Sequence, residues 1–122
     1  MTNILTHTRR PDITFCRDGR ILISARLART LGIIEGSSIN VAFEDQECYV
    51  FARHHRPGER HIARCWQSKH KGGTYCASSV LLSRAMLDRC GITGDKAAFS
   101  TGAVVTRADQ TFVTVLYKIP LL

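Results

Sequence analysis

The stretch Ile13–Arg53, ITFCRDGRILISARLARTLGIIEGSSINVAFEDQECYVFAR, carries the clearest structural pattern in the chain. Ile13 to Cys16 alternates as a strand. Arg17-Asp18-Gly19-Arg20 supplies a turn, because Asp-Gly tolerates the positive φ that tight hairpins need. Ile21 to Ile23 returns as a second strand. Ser24 then suits a helix N-cap, and Ala25 to Leu31 makes two helical turns. Leu27 and Leu31 lie four apart on one face, with Arg26, Arg29 and Thr30 turned away from it. Gly32 is the expected left-handed stop. After a turn at Glu35-Gly36, Ile39, Val41 and Phe43 alternate with polar or small residues. Glu44 to Glu47 is an acidic turn, and Cys48 to Ala52 closes the unit as a strand. A two-turn helix is marginal alone, so Leu27 and Leu31 must pack on a sheet.

Within this stretch, GRILISARLARTLGIIEGSSINV (Gly19–Val41) resembles the AbrB/MazE swapped-hairpin family. In that family a Gly-Arg turn and a strand lead into a short helix closed by Leu-Gly-Ile. The resemblance implies two interleaved hairpin units sharing one barrel, and DNA binding through arginines of the turn and the helix. Carried onto this chain, those positions are Arg20 and Arg29. Arg17 shares the turn, and Arg26 adds charge where the family often has an acidic residue. Ala28 departs from the pattern, since a second arginine is common there.

The later stretch LLSRAMLDRCGITGDKAAF (Leu81–Phe99) repeats the pattern at an offset of 59 residues. Leu22 falls on Leu81, Ser24 on Ser83, Leu27 on Met86, Leu31 on Cys90, Gly32 on Gly91 and Ile33 on Ile92. Ser83 is thus the expected cap of a second helix. Ala63 to Trp66 and Thr74 to Ser78 read as paired strands before it, joined by Gln67 to Gly73. No Gly-Arg turn precedes Val80. Ala103 to Tyr117 reads as a hairpin turning at Arg107 to Gln110. The expected fold is α+β and mainly β, a swapped-hairpin barrel built from two ββαββ halves. Residues 1–11 form an arm, 12–53 the first half, 54–60 a linker around Pro57-Gly58, and 61–122 a degenerate second half. The two halves either build one barrel within the chain or pair with copies in a homodimer.

The chain has 122 residues, 44% apolar and 22% charged, which is one globular domain able to bury a core. No apolar run is long enough to span a bilayer, and Arg9-Arg10 follow the first apolar residues, the reverse of a secretory signal. A cytoplasmic protein is expected. Five cysteines without a CxxC pair read as reduced, buried thiols rather than a disulfide scaffold. The net charge is +7, with eight Lys/Arg against three Asp/Glu in residues 61–122. Such an excess attracts polyanions, and it suits an acidic protein partner equally.

Arginine fits phosphates and guanine edges through its planar fork. Arg17, Arg20, Arg26 and Arg29 are therefore candidate DNA contacts, the alternative being solvated surface charges. The loop Lys69-His70-Lys71-Gly72-Gly73 offers Lys69 and Lys71 as phosphate contacts, or is a plain turn. His54, His55, His61, Cys65, His70 and Cys76 lie close in sequence but lack the paired spacing of a zinc site. No nucleophile elbow, paired-carboxylate motif or dinucleotide loop is present, so no enzymatic activity, metal or cofactor is expected. Trp66, Tyr75 and Phe112 are expected in the core, with base stacking as their alternative. The function expected is a DNA-binding transcriptional regulator or antitoxin-like autoregulator. The strand-like ending LYKIPLL does not resemble a toxin-wrapping tail. The alternative is a protein-interaction module whose barrel has lost DNA binding.

Overall fold

The computed structural model describes residues 11–54, 63–69 and 72–116. Residues 1–10 of the arm, 55–60 of the linker and 117–122 lie outside the described residues, as do His55, His61, His70 and Lys71. Among the described residues the chain is mainly β, with two helices and a nearly closed barrel-like sheet. The first strands are β1 (Ile13–Cys16) and β2 (Arg20–Ile23), followed by helix α1 (Ala25–Leu31), β3 (Ser37–Glu44) and β4 (Glu47–His54). Two short strands, β5 (Ala63–Arg64) and β6 (Trp66–Gln67), precede β7 (Tyr75–Ser78). Then come α2 (Val80–Arg89), β8 (Lys96–Arg107) and β9 (Gln110–Leu116).

Local chemistry explains these boundaries. The Ser24 hydroxyl accepts the Leu27 amide N–H at 3.1 Å, capping α1, and Gly32 ends it in the left-handed region at φ 70°. The second helix starts one turn earlier than the repeat predicts. Ser79, not Ser83, is its cap and accepts from the Leu82 amide at 3.1 Å. Ser83 instead lies fully buried inside the helix. The cause is Ser78-Ser79 itself, which supplies a cap hydroxyl before Val80 is reached. At the other end the match holds. The Ile33 amide donates to Ala28 and the Ile92 amide to Leu87, both at 2.9 Å, and Gly91 also has φ 70°. The last hairpin turns on Ala108 and Asp109, both at positive φ, as a two-residue hairpin loop requires.

The sheet runs β5-β3-β4-β9-β8-β1-β2-β7-β6, with every pair antiparallel. Early strands take late ones as neighbours. β1 pairs with β8 (Ile13↔Phe99), β2 with β7 (Ile21↔Ala77), and β4 with β9 (Val50↔Val113). The seam is closed by residues 63–67. β5 bonds to β3 and β6 to β7, and between them the Cys65 amide donates to Ser37 at 2.6 Å. Alternation places Ala63 and Cys65 inside the barrel and Arg64 and Trp66 outside it.

Phe15 and Phe99 meet edge to face at 5.9 Å in the core, beside Ile21, Ile23, Leu27, Val50, Met86 and Leu87. Each such buried side chain is worth about 1.5–3 kcal/mol relative to exposure. One polar hub joins this core. Asp12 is 3% exposed, and its carboxylate accepts the Thr101 amide at 3.0 Å and the Thr101 hydroxyl at 2.9 Å. Its other oxygen accepts the Ser24 hydroxyl at 3.3 Å, turning that group's lone pair toward the Leu27 amide. Asp12 thereby links the start of β1, the cap of α1 and the middle of β8. No helix among the described residues is long and apolar enough to cross a membrane.

Gly19 sits at φ 106°, and a Cβ there would stand 2.9 Å from the Val80 side chain and 3.1 Å from its backbone nitrogen. Gly19→Ala is therefore expected to cost about 1–3 kcal/mol, read as a lower urea midpoint; an unchanged midpoint would show that the turn can relax. Asp12→Ala leaves the buried Thr101 amide without its acceptor. It should lower stability by about 1–3 kcal/mol, with an unaltered denaturant slope; wild-type stability would remove Asp12 from the hub role.

Candidate nucleic-acid interface

The hairpin turn between β1 and β2 holds two of the sequence-predicted arginines, and the fold uses them differently. Arg17 reaches into the loop after α2. Its guanidinium donates to the Ile92 carbonyl at 2.6 Å, the Gly94 carbonyl at 3.0 Å and the Asp88 carboxylate at 3.3 Å. Three bonds to one loop make Arg17 a tie between the hairpin and the α2–β8 connection. Arg20 projects outward from the first residue of β2, its side chain 68% exposed, and its Nε meets the Asp18 carboxylate at 3.0 Å. The Arg20 amide and guanidinium bonds hold the Asp18 carboxyl below its ordinary pKa. An exposed pair of this kind is weak and exchanges readily with a phosphate.

Arg26 leans from α1 toward Asp12 at 3.6 Å, so the hub's charge has a cation at its solvent side. Arg29 is exposed in the last turn of α1, and among the described residues it forms no ion pair. Lys69 is exposed in the loop joining β6 and β7, and Lys71 lies outside the described residues. Arg20 pairs with Ser78 and Ile23 with Tyr75, so the Arg20 turn and the Lys69 loop occupy opposite ends of the β2–β7 ladder. Three residue steps separate those ends, about 10 Å.

Tertiary pairing adds a cation that sequence reasoning missed. Lys96 begins β8 opposite Cys16, and with Arg17, Asp18, Arg20 and Asp95 it lines a shallow cavity of about 220 Å³. Nothing near Lys96 in sequence marks it, because its place follows from a ladder to a strand eighty residues away. Arg64 was missed for the same reason, since its exposure on the seam follows from the pairing of β5 with β3. Trp66, expected in the core, is instead 44% exposed on the outer face of the seam. Tyr75 is half-buried against the core, and Phe112 packs against Phe51 and Tyr49 at ring-centroid distances of 5.1 and 6.5 Å. The Tyr49 hydroxyl bonds to the Glu47 carboxylate, which raises its pKa.

All five cysteines are free, and each is buried or half-buried. Burial pushes the Cys48 and Cys65 thiols up to about 12, and Cys76 and Cys90 upward as well. A thiol is nucleophilic as thiolate, so these groups are poorly suited to attack at neutral pH. Among the described residues no three His, Cys, Asp or Glu side chains stand together as a metal site.

Raised thiol pKa values mean that the folded state holds these protons more tightly than the unfolded chain. Their stabilising contribution is complete below the ordinary value of 9.0 and is lost as pH rises toward about 12. The urea midpoint should therefore fall above about pH 9, and fall less steeply in Cys65→Ala; identical slopes would exclude Cys65 as a source. No known protein family, curated protein or solved structure matches the chain.

Proposed function

We propose that this chain is a DNA-binding protein of the swapped-hairpin type, a cytoplasmic transcriptional regulator or antitoxin-like autoregulator. Its two strand–strand–helix–strand–strand runs are, in this reading, copies of one unit that interleave within a single chain. The observation that supports it is the pairing pattern. Exchanging β1 with β5–β6, β2 with β7, β3 with β8 and β4 with β9 leaves the sheet order unchanged. Glycine contacts obey the same exchange: Gly19 lies against Val80, the first residue of α2, and Gly73 against Ala25, the first of α1.

A barrel of this kind presents Arg20 from its hairpin turn and Arg29 from its helix. Phosphate contacts by the +7 chain supply affinity, and the arginine forks supply base reading. Arg17 and Arg26 play supporting parts, because their guanidiniums face Ile92, Gly94 and Asp88 in one case and Asp12 in the other. A second reading, a module for an acidic protein partner, is favoured by Ala28, which stands where the resemblance leads one to expect an arginine, and by the lack of a Gly-Arg turn before Val80.

Fluorescence anisotropy with a random duplex separates the two readings. Wild-type protein should bind in the micromolar range and lose roughly tenfold or more between about 50 and 200 mM salt. Arg20→Ala/Arg29→Ala should weaken binding by at least roughly tenfold and flatten the salt slope. A wild-type protein indifferent to duplex DNA at low salt would sink the proposal and direct the search to protein partners.

A further inference from the structure

The outer face of the seam carries an apolar row that the proposed duplex contacts do not use. Successive cross-strand partners Trp66, Cys76, Leu22, Thr14 and Ala98 run across β6, β7, β2, β1 and β8 on one side of the sheet. Trp66 and Leu22 are each 44% exposed, and Ala98 is exposed too. Trp66, the single tryptophan of the chain, also borders a groove of about 500 Å³ lined by Glu35, Gly36, Arg64, Cys65 and Ser78.

We infer that this groove binds an unpaired base of a single-stranded nucleic acid, with Trp66 as the stacking platform and Glu35 as the reader of the base edge. Three observations converge on that ligand. A half-exposed indole on a sheet offers a π-face on which an unpaired base can stack, as the bases inside a duplex cannot. Basic side chains surround the row. Arg64 precedes Trp66 by two residues on the outer face, Arg20 lies two residues from Leu22, and Lys96 two from Ala98. The Glu35 carboxylate is held beside the ring, because its Oε2 accepts the Gln67 amide at 3.0 Å. Its second oxygen is left to accept an exocyclic amine.

That acceptor sets a preference. On an unpaired base a carboxylate accepts from cytosine N4, adenine N6 or the N1–H and N2 amine of guanine. Thymine offers only its N3–H, flanked by the O2 and O4 acceptors, and is disfavoured. The site shares with the proposed function the attraction of a basic chain for phosphates and the neighbouring Arg20, but its base-contacting residues, Trp66 and Glu35, are different ones.

The test uses the intrinsic fluorescence of Trp66, titrated with single strands of about 12 nucleotides at low salt. Oligo-deoxycytidine should quench the emission saturably, and oligo-deoxythymidine should bind several-fold more weakly. Trp66→Ala, followed by anisotropy, should lose roughly tenfold in single-strand affinity with duplex affinity unchanged. Glu35→Gln should keep the quenching and erase the cytidine preference. Absence of quenching by any single strand would overturn the inference, as would a Trp66→Ala protein that binds single strands like wild type. Equal affinity of the wild type for the two oligomers would do so for Glu35. Quenching by single strands without duplex binding would support this site while refuting the function proposed above. Duplex binding without single-strand quenching would do the reverse.

Discussion

The ladder between β1 and β8 joins Ile13–Cys16 to Lys96–Phe99, residues eighty or more positions apart, and the barrel depends on it. Each early hairpin is too small to bury its apolar side alone. Phe15 finds its main aromatic partner, Phe99, only across this ladder. Asp12 fixes the same junction from the polar side, bonding Thr101 on β8 and Ser24 at the helix cap with one carboxylate. Loop-closure entropy grows only slowly with separation, so distant pairing is affordable once it buries this much. Helix α1 is seven residues long, and its Leu27 is almost fully buried, so its stability comes from the joined sheet.

The same junction sorts the charges. Arg17 and Arg20 are three residues apart in one turn, yet one is bonded to the α2–β8 loop and the other projects to solvent. Lys96 arrives beside them because β8 begins opposite Cys16. Glu44 and Arg107 meet at 3.3 Å between the tips of the two long hairpins, a surface pair that orients more than it stabilises. The outer face thus combines exposed cations with the Trp66–Leu22 row, a composition that suits phosphates and apolar ring faces together.

Closure at the seam shows how a short segment can change a surface. Residues 63–67 bond to β3 on one side, at Ser38 and Ile39, and to β7 on the other, at Tyr75 and Cys76, so they bridge the two sheet edges. With Ala63 and Cys65 turned inward, period-two alternation forces Arg64 and Trp66 out. Burial of Cys65 in that position is also what keeps its thiol protonated.

The sequence by itself determined the local elements: Ile13–Cys16 as a strand, Ala25–Leu31 as a helix with its serine cap and glycine stop, and the turn at Ala108-Asp109. These follow from hydrogen bonds and backbone preferences within a few residues, which a linear reading contains. The recurrence at Gly91-Ile92 was legible for the same reason, whereas the cap at Ser79 was hidden by an extra helical turn. Tertiary structure alone decided that β1 sits between β2 and β8. It also decided that Arg17 is spent on the Ile92–Gly94 carbonyls and that Trp66 faces solvent. Those outcomes depend on which distant strand supplies the neighbour, and burial, not adjacency in the chain, makes that choice.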